Sequence, residues 1–383
     1  MKILYSAIDQ SVPGTTGGSI HVAAVAEGLA ALGHTVTALI APGSGEPPSS
    51  SSVHWVEMPP PFRSSHLRLA RSRPIRQLVD EIRPDAVIER YHNFGGEAIR
   101  AARRVNAVAV LEVNAPVIDF PGSNKARLDR ALLVEPMRRW REGLCRLADI
   151  VVTPDAAILP ADVPRDRVLR LEWGADTDRF HPGAPGQPPF VRLDVKTVAV
   201  FAGAFRSWHG AVHLVTAIRT LSGRGRRDVG AVLIGDGPEL PRVRKAAAGL
   251  DTVVFTGALR HDRMPAALAA ADIGVAPFDL GAHRPLALGF YWSPLKIFEY
   301  MASGLPVVAP RVDRIPSLVE DGVEGALYPP EEGSAGLADA LTRLTDPGHR
   351  KTLGDAARRR AVRDYSWEAH CRALAAAIRA RRP

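Results

Sequence analysis

Short runs with the character of buried strands alternate with longer amphipathic stretches along almost the whole chain, and that alternation admits few architectures. Strands that each feed a helix before the next strand begins pair in parallel, with helices covering the sheet. Lys2-Ile3-Leu4-Tyr5-Ser6 reads as the first strand, and Ile20 to Leu32 as a helix that Gly33 stops. Thr35 to Ile40, Val53 to Met58, Ala86 to Glu89, Ala107 to Val113, Ile150 to Val152 and Val168 to Leu171 continue the series. It halts at His181-Pro182-Gly183-Ala184-Pro185-Gly186-Gln187-Pro188-Pro189, whose prolines and glycines forbid helix and favour a stiff connector. The pattern then restarts with Thr197 to Phe201, Gly230 to Ile234, Thr252 to Phe255, Ile273 to Ala276 and Pro306 to Ala309. Two α/β units follow from this, over residues 1–183 and 184–365.

A length of 383 residues leaves room for two such cores. With 46% hydrophobic and 23% charged residues, wholesale disorder is excluded. The opening apolar run is cut at Asp9 and Gln10 before a signal-peptide core forms, so a cytoplasmic location is expected. Cys145 and Cys371 stand outside any CxxC or Cys/His cluster and read as structural. Lys and Arg number 49 against 41 Asp and Glu, a net +8 that suits nucleic acid, an anionic membrane or a phosphorylated small molecule. There is no zinc-finger spacing, and an aromatic share of 6% offers little for base stacking, so no nucleic-acid partner is expected. Arg63, His66, Arg68, Arg71, Arg73 and Arg76 follow a serine- and proline-rich loop with only Leu67 and Leu69 between them. They read as a solvated helix face, with peripheral membrane contact the less favoured alternative.

In open α/β sheets ligands bind at the carboxyl ends of the strands, so the turns there are the first candidates. Gly17-Gly18, placed before the first helix with Ser19 as its N-cap, leaves backbone amides open to a phosphate or sugar. Gly235-Asp236-Gly237-Pro238 follows a strand, but it lacks the third glycine of a dinucleotide fingerprint and Pro238 interrupts it, so NAD is not inferred. The strongest local signal is the segment from Ser293 to Ala309. Ser293 as N-cap and Pro294 at the first helical position would start a helix whose free amides, at Leu295 and Lys296, suit a diphosphate. Glu299, one turn on, would offer a carboxylate to the hydroxyls of a ribose.

Through these segments the chain resembles the family 4 retaining glycosyltransferases. The likeness runs in order through Gly17-Gly18, Trp173 to Phe180, Phe201 to Arg206, Gly235 to Pro238, Phe255 to Gly257, Ala271 to Phe278 and 293–309, and closes at Tyr365-Ser366-Trp367. It implies the GT-B fold, an α/β architecture of two Rossmann-like domains facing across a cleft, with a terminal helix over 366–383 returning to the first domain. It implies transfer of a sugar from a nucleotide diphosphate sugar, as co-substrate and without a further cofactor, to an acceptor hydroxyl with retention. Glu299 matches the second of the family's two glutamates, and the first falls at Tyr291. Arg206, beyond Gly203, takes the place of an arginine that neutralises the diphosphate, and His209 takes that of the accompanying lysine. Asn114 stands where many members carry a histidine near the sugar. The first domain would hold a polar, soluble acceptor, with Gly17, Gly18, His92, Asn93 and Asn114 as candidates. Asp176-Thr177-Asp178 has the form of a metal-holding DxD but lies in a segment of this family before the linker, so no metal is expected. A nucleotide-sugar 2-epimerase and a catalytically silent binding protein are the alternatives.

Overall fold

The structure is a computed structural model that describes residues 1–14, 16–43, 45, 52–59, 72–93, 95–117, 123, 127, 135–190, 193–283 and 287–382. It divides into two compact units: Met1–Trp173 with Tyr291–Ser293 and Trp367–Pro383, and Gly174–Phe290 with Pro294–Ser366. The first unit therefore ends ahead of the proline-rich connector, and it takes in Tyr291 and Ser293.

In the first unit, β1 (Lys2–Ser11), β2 (Thr35–Ala41), β3 (Val53–Glu57), β4 (Ala86–Arg90), β5 (Val108–Glu112), β6 (Ile150–Thr153) and β7 (Val168–Arg170) form one sheet. All its pairings are parallel, in the order β3-β2-β1-β4-β5-β6-β7. The chain starts in the middle, winds to one edge and returns to build the other half, so the order reverses between β1 and β4. Leu4, Val87, Leu111 and Val151 line a core closed by Ile75 and Val79 of α2 (Ser72–Ile82), Ile99 and Ala102 of α3 (Glu97–Arg104), and Leu144 and Cys145 of α4 (Glu135–Leu147). Helix α1 (Gly17–Ala31) buries Val22, Val25 and Leu29, and Gly33 ends it at a φ of 82° that favours glycine. The cap differs from expectation. Thr16, not Ser19, accepts from the Ser19 amide at 3.2 Å, and Gly17 and Gly18 form the first turn of the helix rather than a loop before it.

The second unit repeats the topology. Strands β8 (Thr197–Ala202), β9 (Val229–Ile234), β10 (Val253–Gly257), β11 (Ile273–Val275), β12 (Val307–Pro310) and β13 (Gly325–Tyr328) form a parallel sheet ordered β10-β9-β8-β11-β12-β13, with its reversal between β8 and β11. Strand β13 was not anticipated, because Gly-Ala-Leu-Tyr carries no β-branched residue and is too short for periodicity. Its place is fixed by packing: a Cβ at Gly325 would run into the backbone of Val307 on β12. Helices α5 (Ala211–Gly223), α6 (Leu240–Ala246), α7 (Met264–Ala269), α8 (Leu295–Ala302), α9 (Ile315–Leu318), α10 (Gly333–Arg343) and α11 (Pro347–Asp364) complete this unit, and α12 (Trp367–Arg381) lies against α1 in the first. Phe201, Phe205, Leu214, Val215, Ile218, Leu233, Leu337 and Leu341 build the second core.

Helix α8 begins at Leu295, with Pro294 in the cap position and no side-chain cap. The expectation that Ser293 caps it fails: the Ser293 hydroxyl donates to Glu172 at 2.6 Å and accepts from the Trp173 amide at 3.0 Å. Both bonds lie inside the first unit. Of the basic stretch, Arg63, His66, Arg68 and Arg71, with Leu67 and Leu69, lie outside the described residues, while Arg73 and Arg76 fall on α2.

Candidate functional site

At the carboxyl end of the second sheet, two loops close against each other. Gly203 follows β8 with φ 142° and Gly235 follows β9 with φ 134°, conformations that L side chains rarely adopt. A Cβ on Gly235 would strike the Gly203 carbonyl, and one on Gly237 would stand 2.8 Å from the Phe205 amide nitrogen. The Phe205 amide donates to Asp236 O, and Glu239 N donates to Phe205 O. These glycines are thus explained by close packing of two turns. Tyr300, wholly buried on α8, accepts from the Ala202 amide at 2.7 Å where β8 ends, so its hydroxyl fixes the start of the Gly203 loop.

Three side chains converge there from the loop after β8 and from α8. Arg206 is exposed, its guanidinium 5.8 Å from the centre of the Trp208 ring. The second is His209, whose Nδ1 lies 2.5 Å from the Ala204 carbonyl. Since a carbonyl only accepts, the ring proton sits on Nδ1. Burial, then the charges of Lys296 and Arg206, push the His209 pKa down to about 3 against the pull of Ala204, so the ring is neutral at pH 7 and Nε2 can only accept. A neutral His209 in this tautomer spends its N–H on Ala204 and presents Nε2 as an acceptor. Lys296 is the third. Its amide sits in the first turn of α8, as expected, while its ammonium lies 4.3 Å over the Phe201 ring and 5.4 Å from that of Phe278, next to Gly203.

Glu299 is buried on α8, and Oε1 takes a 2.8 Å contact from His261 Nε2. His261, in the turn after β10, has its ring 5.4 Å from that of Phe180. The sequence did not single it out. Nor did it show Arg358 of α11, which donates to the carbonyls of Thr177, Phe180 and Ala302 and so ties the 174–180 segment to the end of α8. Asp176 turns its Oδ1 to the amides of Asp178 and Arg179, at 3.2 and 3.1 Å. That is the local work of an Asx turn.

The candidates of the first unit have a different character. Glu112, at the end of β5, accepts from Tyr5 at 2.7 Å and Arg90 at 3.1 Å, contacts His21 Nε2 at 2.6 Å, and accepts the Asn114 side-chain amide. Burial would raise its pKa, but His21, Arg90 and the Tyr5 hydroxyl hold it well below the ordinary carboxylate range. Asn114 also accepts from Trp173 Nε1 at 2.9 Å, so both ends of its amide serve this network. Trp173 stacks on His21 with ring centres 4.6 Å apart and touches the position a Cβ would take on Gly17. Tyr291 packs against the core of this unit, and burial raises its pKa. His92 Nδ1 meets the Asn93 carbonyl at 3.0 Å, and Asn93 Oδ1 accepts from Tyr91 at 3.4 Å. His92, Glu89 and Glu97 bring ligand atoms within 4.8 Å of one another. Glu89 accepts from the amides of Gly96 and Ile99 and so caps α3, and burial beside Glu97 pushes its pKa up to about 8.

Two family models match the chain and divide it as the fold does: "Glycosyltransferase Family 4" over residues 15–179 and "Glycosyl transferases group 1" over 196–346. The sulfoquinovosyl transferase of Arabidopsis thaliana is 29% identical over 326 residues, which cover 81% of this chain and 59% of that protein. The chain thus spans about three fifths of the length of that relative. An alpha-maltose-1-phosphate synthase of Mycobacterium tuberculosis is 32% identical over 275 residues, covering 61% of this chain and 67% of the synthase. Among solved structures, an Anabaena protein in complex with UDP and glucose superposes with a TM-score of 0.67 at 18% identity, over 99% of both chains. The two parallel α/β units are those of the GT-B fold. The chain belongs to glycosyltransferase family 4.

Proposed function

We propose that this protein transfers a sugar from a nucleotide diphosphate sugar to an acceptor hydroxyl, with retention at the anomeric carbon. The observation that carries the reading is the carboxyl end of β8 and β9, where two glycine turns close on each other, the Lys296 side chain from the first turn of α8 lies against Gly203, and Glu299 is buried one turn further along that helix. Glu299, oriented by His261, accepts hydroxyls of the nucleotide ribose. As the bond to the sugar breaks, charge builds on the departing diphosphate. Arg206 and the amides of Leu295 and Lys296, at the positive end of the α8 dipole, are placed to receive it.

No protein nucleophile is assigned to the reaction. Asn114 is not basic, and Glu112 is enclosed by Tyr5, His21, Arg90 and Asn114. Attack from the face that the diphosphate leaves accounts for retention without a covalent intermediate. The reaction runs without a metal ion, on a polar, soluble acceptor held by the first unit. Among the described residues, no helix is long and apolar enough to cross a membrane.

The relatives support this reading, among them a sulfoquinovosyl transferase and an alpha-maltose-1-phosphate synthase, and so does the solved neighbour in complex with UDP and glucose. The test is a thermal-shift screen of UDP, GDP and ADP. Transfer from the matching sugar nucleotides is then followed by NMR of the anomeric proton in the product. One base should stabilise the protein, and the product should keep the donor's configuration. An inverted product would overturn the mechanism, and conversion of the donor alone would point to an epimerase.

A further inference from the structure

The Lys296 ammonium is enclosed by protein, and Nζ has no hydrogen-bond partner among the described residues. A buried ammonium in that state is costly, because the faces of two phenyl rings replace only part of its lost hydration. The ring of Phe201 lies beneath it at 4.3 Å and that of Phe278 at 5.4 Å, while on another side the bare Cα of Gly203 makes room: a Cβ there would stand 2.9 Å from Nζ. The nearest carboxylate on its own helix, Glu299, is turned to His261. Other titratable and charged groups around it are the neutral His209 and Arg206 from the loop after β8, and Asp279 beside Phe278, which faces His213 at 3.4 Å. His209 offers no proton in that direction.

We propose that the Lys296 side chain, and not His209, is the cation that binds the donor's diphosphate, and that its protonation is coupled to the arrival of that anion. This rests on the donor-site reading above. Three observations carry it together: an enclosed ammonium without a partner, at the first turn of α8, against a glycine that has no side chain to cover it. Burial brings the Lys296 pKa down to about 7, opposed by Glu299, so in the free protein a large fraction is neutral at physiological pH. An anion beside it favours the charged form. Binding therefore takes up a proton when the pH lies above about 7 and below the raised value of the complex. In that window affinity falls as pH rises; well below pH 7 the ammonium is already charged and the dependence vanishes.

The experiment is titration calorimetry of UDP, GDP and ADP, of the corresponding nucleosides and of inorganic pyrophosphate, at pH 6 to 9 and in buffers of different ionisation enthalpy. Parent, Lys296→Met and His209→Asn proteins are compared. Methionine keeps the length and the ring contacts. Lys296→Met should weaken the diphosphate and pyrophosphate by about 10- to 100-fold at pH 7 while leaving nucleoside affinity within about twofold. It should also abolish the proton uptake seen with the parent. His209→Asn should keep both the diphosphate affinity and the uptake.

Diphosphate affinity unchanged in Lys296→Met, with uptake retained, would overturn the proposal and leave the donor site standing. The reverse pattern, loss in His209→Asn alone, would also overturn it. Failure of every nucleoside diphosphate and of pyrophosphate to bind the parent would remove the donor reading and this proposal together.

Discussion

The polar centres of the two units each bury a charge and leave it in opposite states. In the first, Glu112 is surrounded by Tyr5, His21, Arg90 and Asn114, and Asn114 is tied in turn to Trp173. In the second, the Lys296 ammonium is buried beside ring faces and a glycine and has no hydrogen-bond partner among the described residues. A carboxylate held by several neutralising partners contributes mainly to folding, whereas a buried charge without a partner is stabilised when a ligand of opposite charge arrives. Substitutions in the first unit should therefore change stability, and those in the second should change affinity.

The largest effect is expected at Glu112. Replacement by alanine leaves Arg90 and Tyr5 buried without their main acceptor and should cost about 3–5 kcal/mol in urea unfolding. A loss below about 1 kcal/mol would mean that the network is not what holds this unit. The same group sets an acid limit. Because its folded pKa is depressed, its contribution is complete above the unfolded value near about 4.3 and is lost as pH falls below that. Glu112→Gln should show a shallower fall in melting temperature between about pH 5 and pH 3.

Next comes Glu299→Ala, expected to weaken nucleotide binding by roughly 1.5–3 kcal/mol, with a melting temperature shifted far less than in Glu112→Ala. Calorimetry with the nucleotide that binds the parent decides it. Unchanged affinity would reduce Glu299 to a partner of His261 alone. Arg206→Ala should cost about 1 kcal/mol or less in affinity, since its guanidinium is exposed and screened, and the loss should shrink as salt rises. The smallest effect is that of chelation. Activity in excess EDTA should match that of the untreated protein, and a loss restored by magnesium or manganese would contradict a metal-free mechanism.

These contrasts also mark what the sequence could show. Most of the β-strands were legible because each is a buried apolar run flanked by turn residues, and the restart after Pro189 announced the second unit. Gly203, Gly235 and Gly237 were found as glycines, but the reason for them, one turn closing on another, lies in contacts across the sheet. The sequence placed His209 where the family carries a lysine, and its protonation depends on a bond to Ala204 and an enclosure that only the fold shows. His261, Arg358 and the Lys296 side chain were missed because their roles depend on partners distant in the chain. His21 left a readable sign: a lone histidine beside Val22 and Val25 on the buried face of a helix needs a polar partner. Glu112, ending a buried strand, was the corresponding acid.

Hydrogen–deuterium exchange, with and without the nucleoside diphosphate that most stabilises the protein, tests the division of labour between the two units directly. Saturating ligand should protect amides in 203–210, 235–240 and 295–300, and leave 5–12, 89–97 and 110–114 as they were. Protection centred on the Glu112 segments, with none at the start of α8, would contradict the assignment of the donor to the second unit.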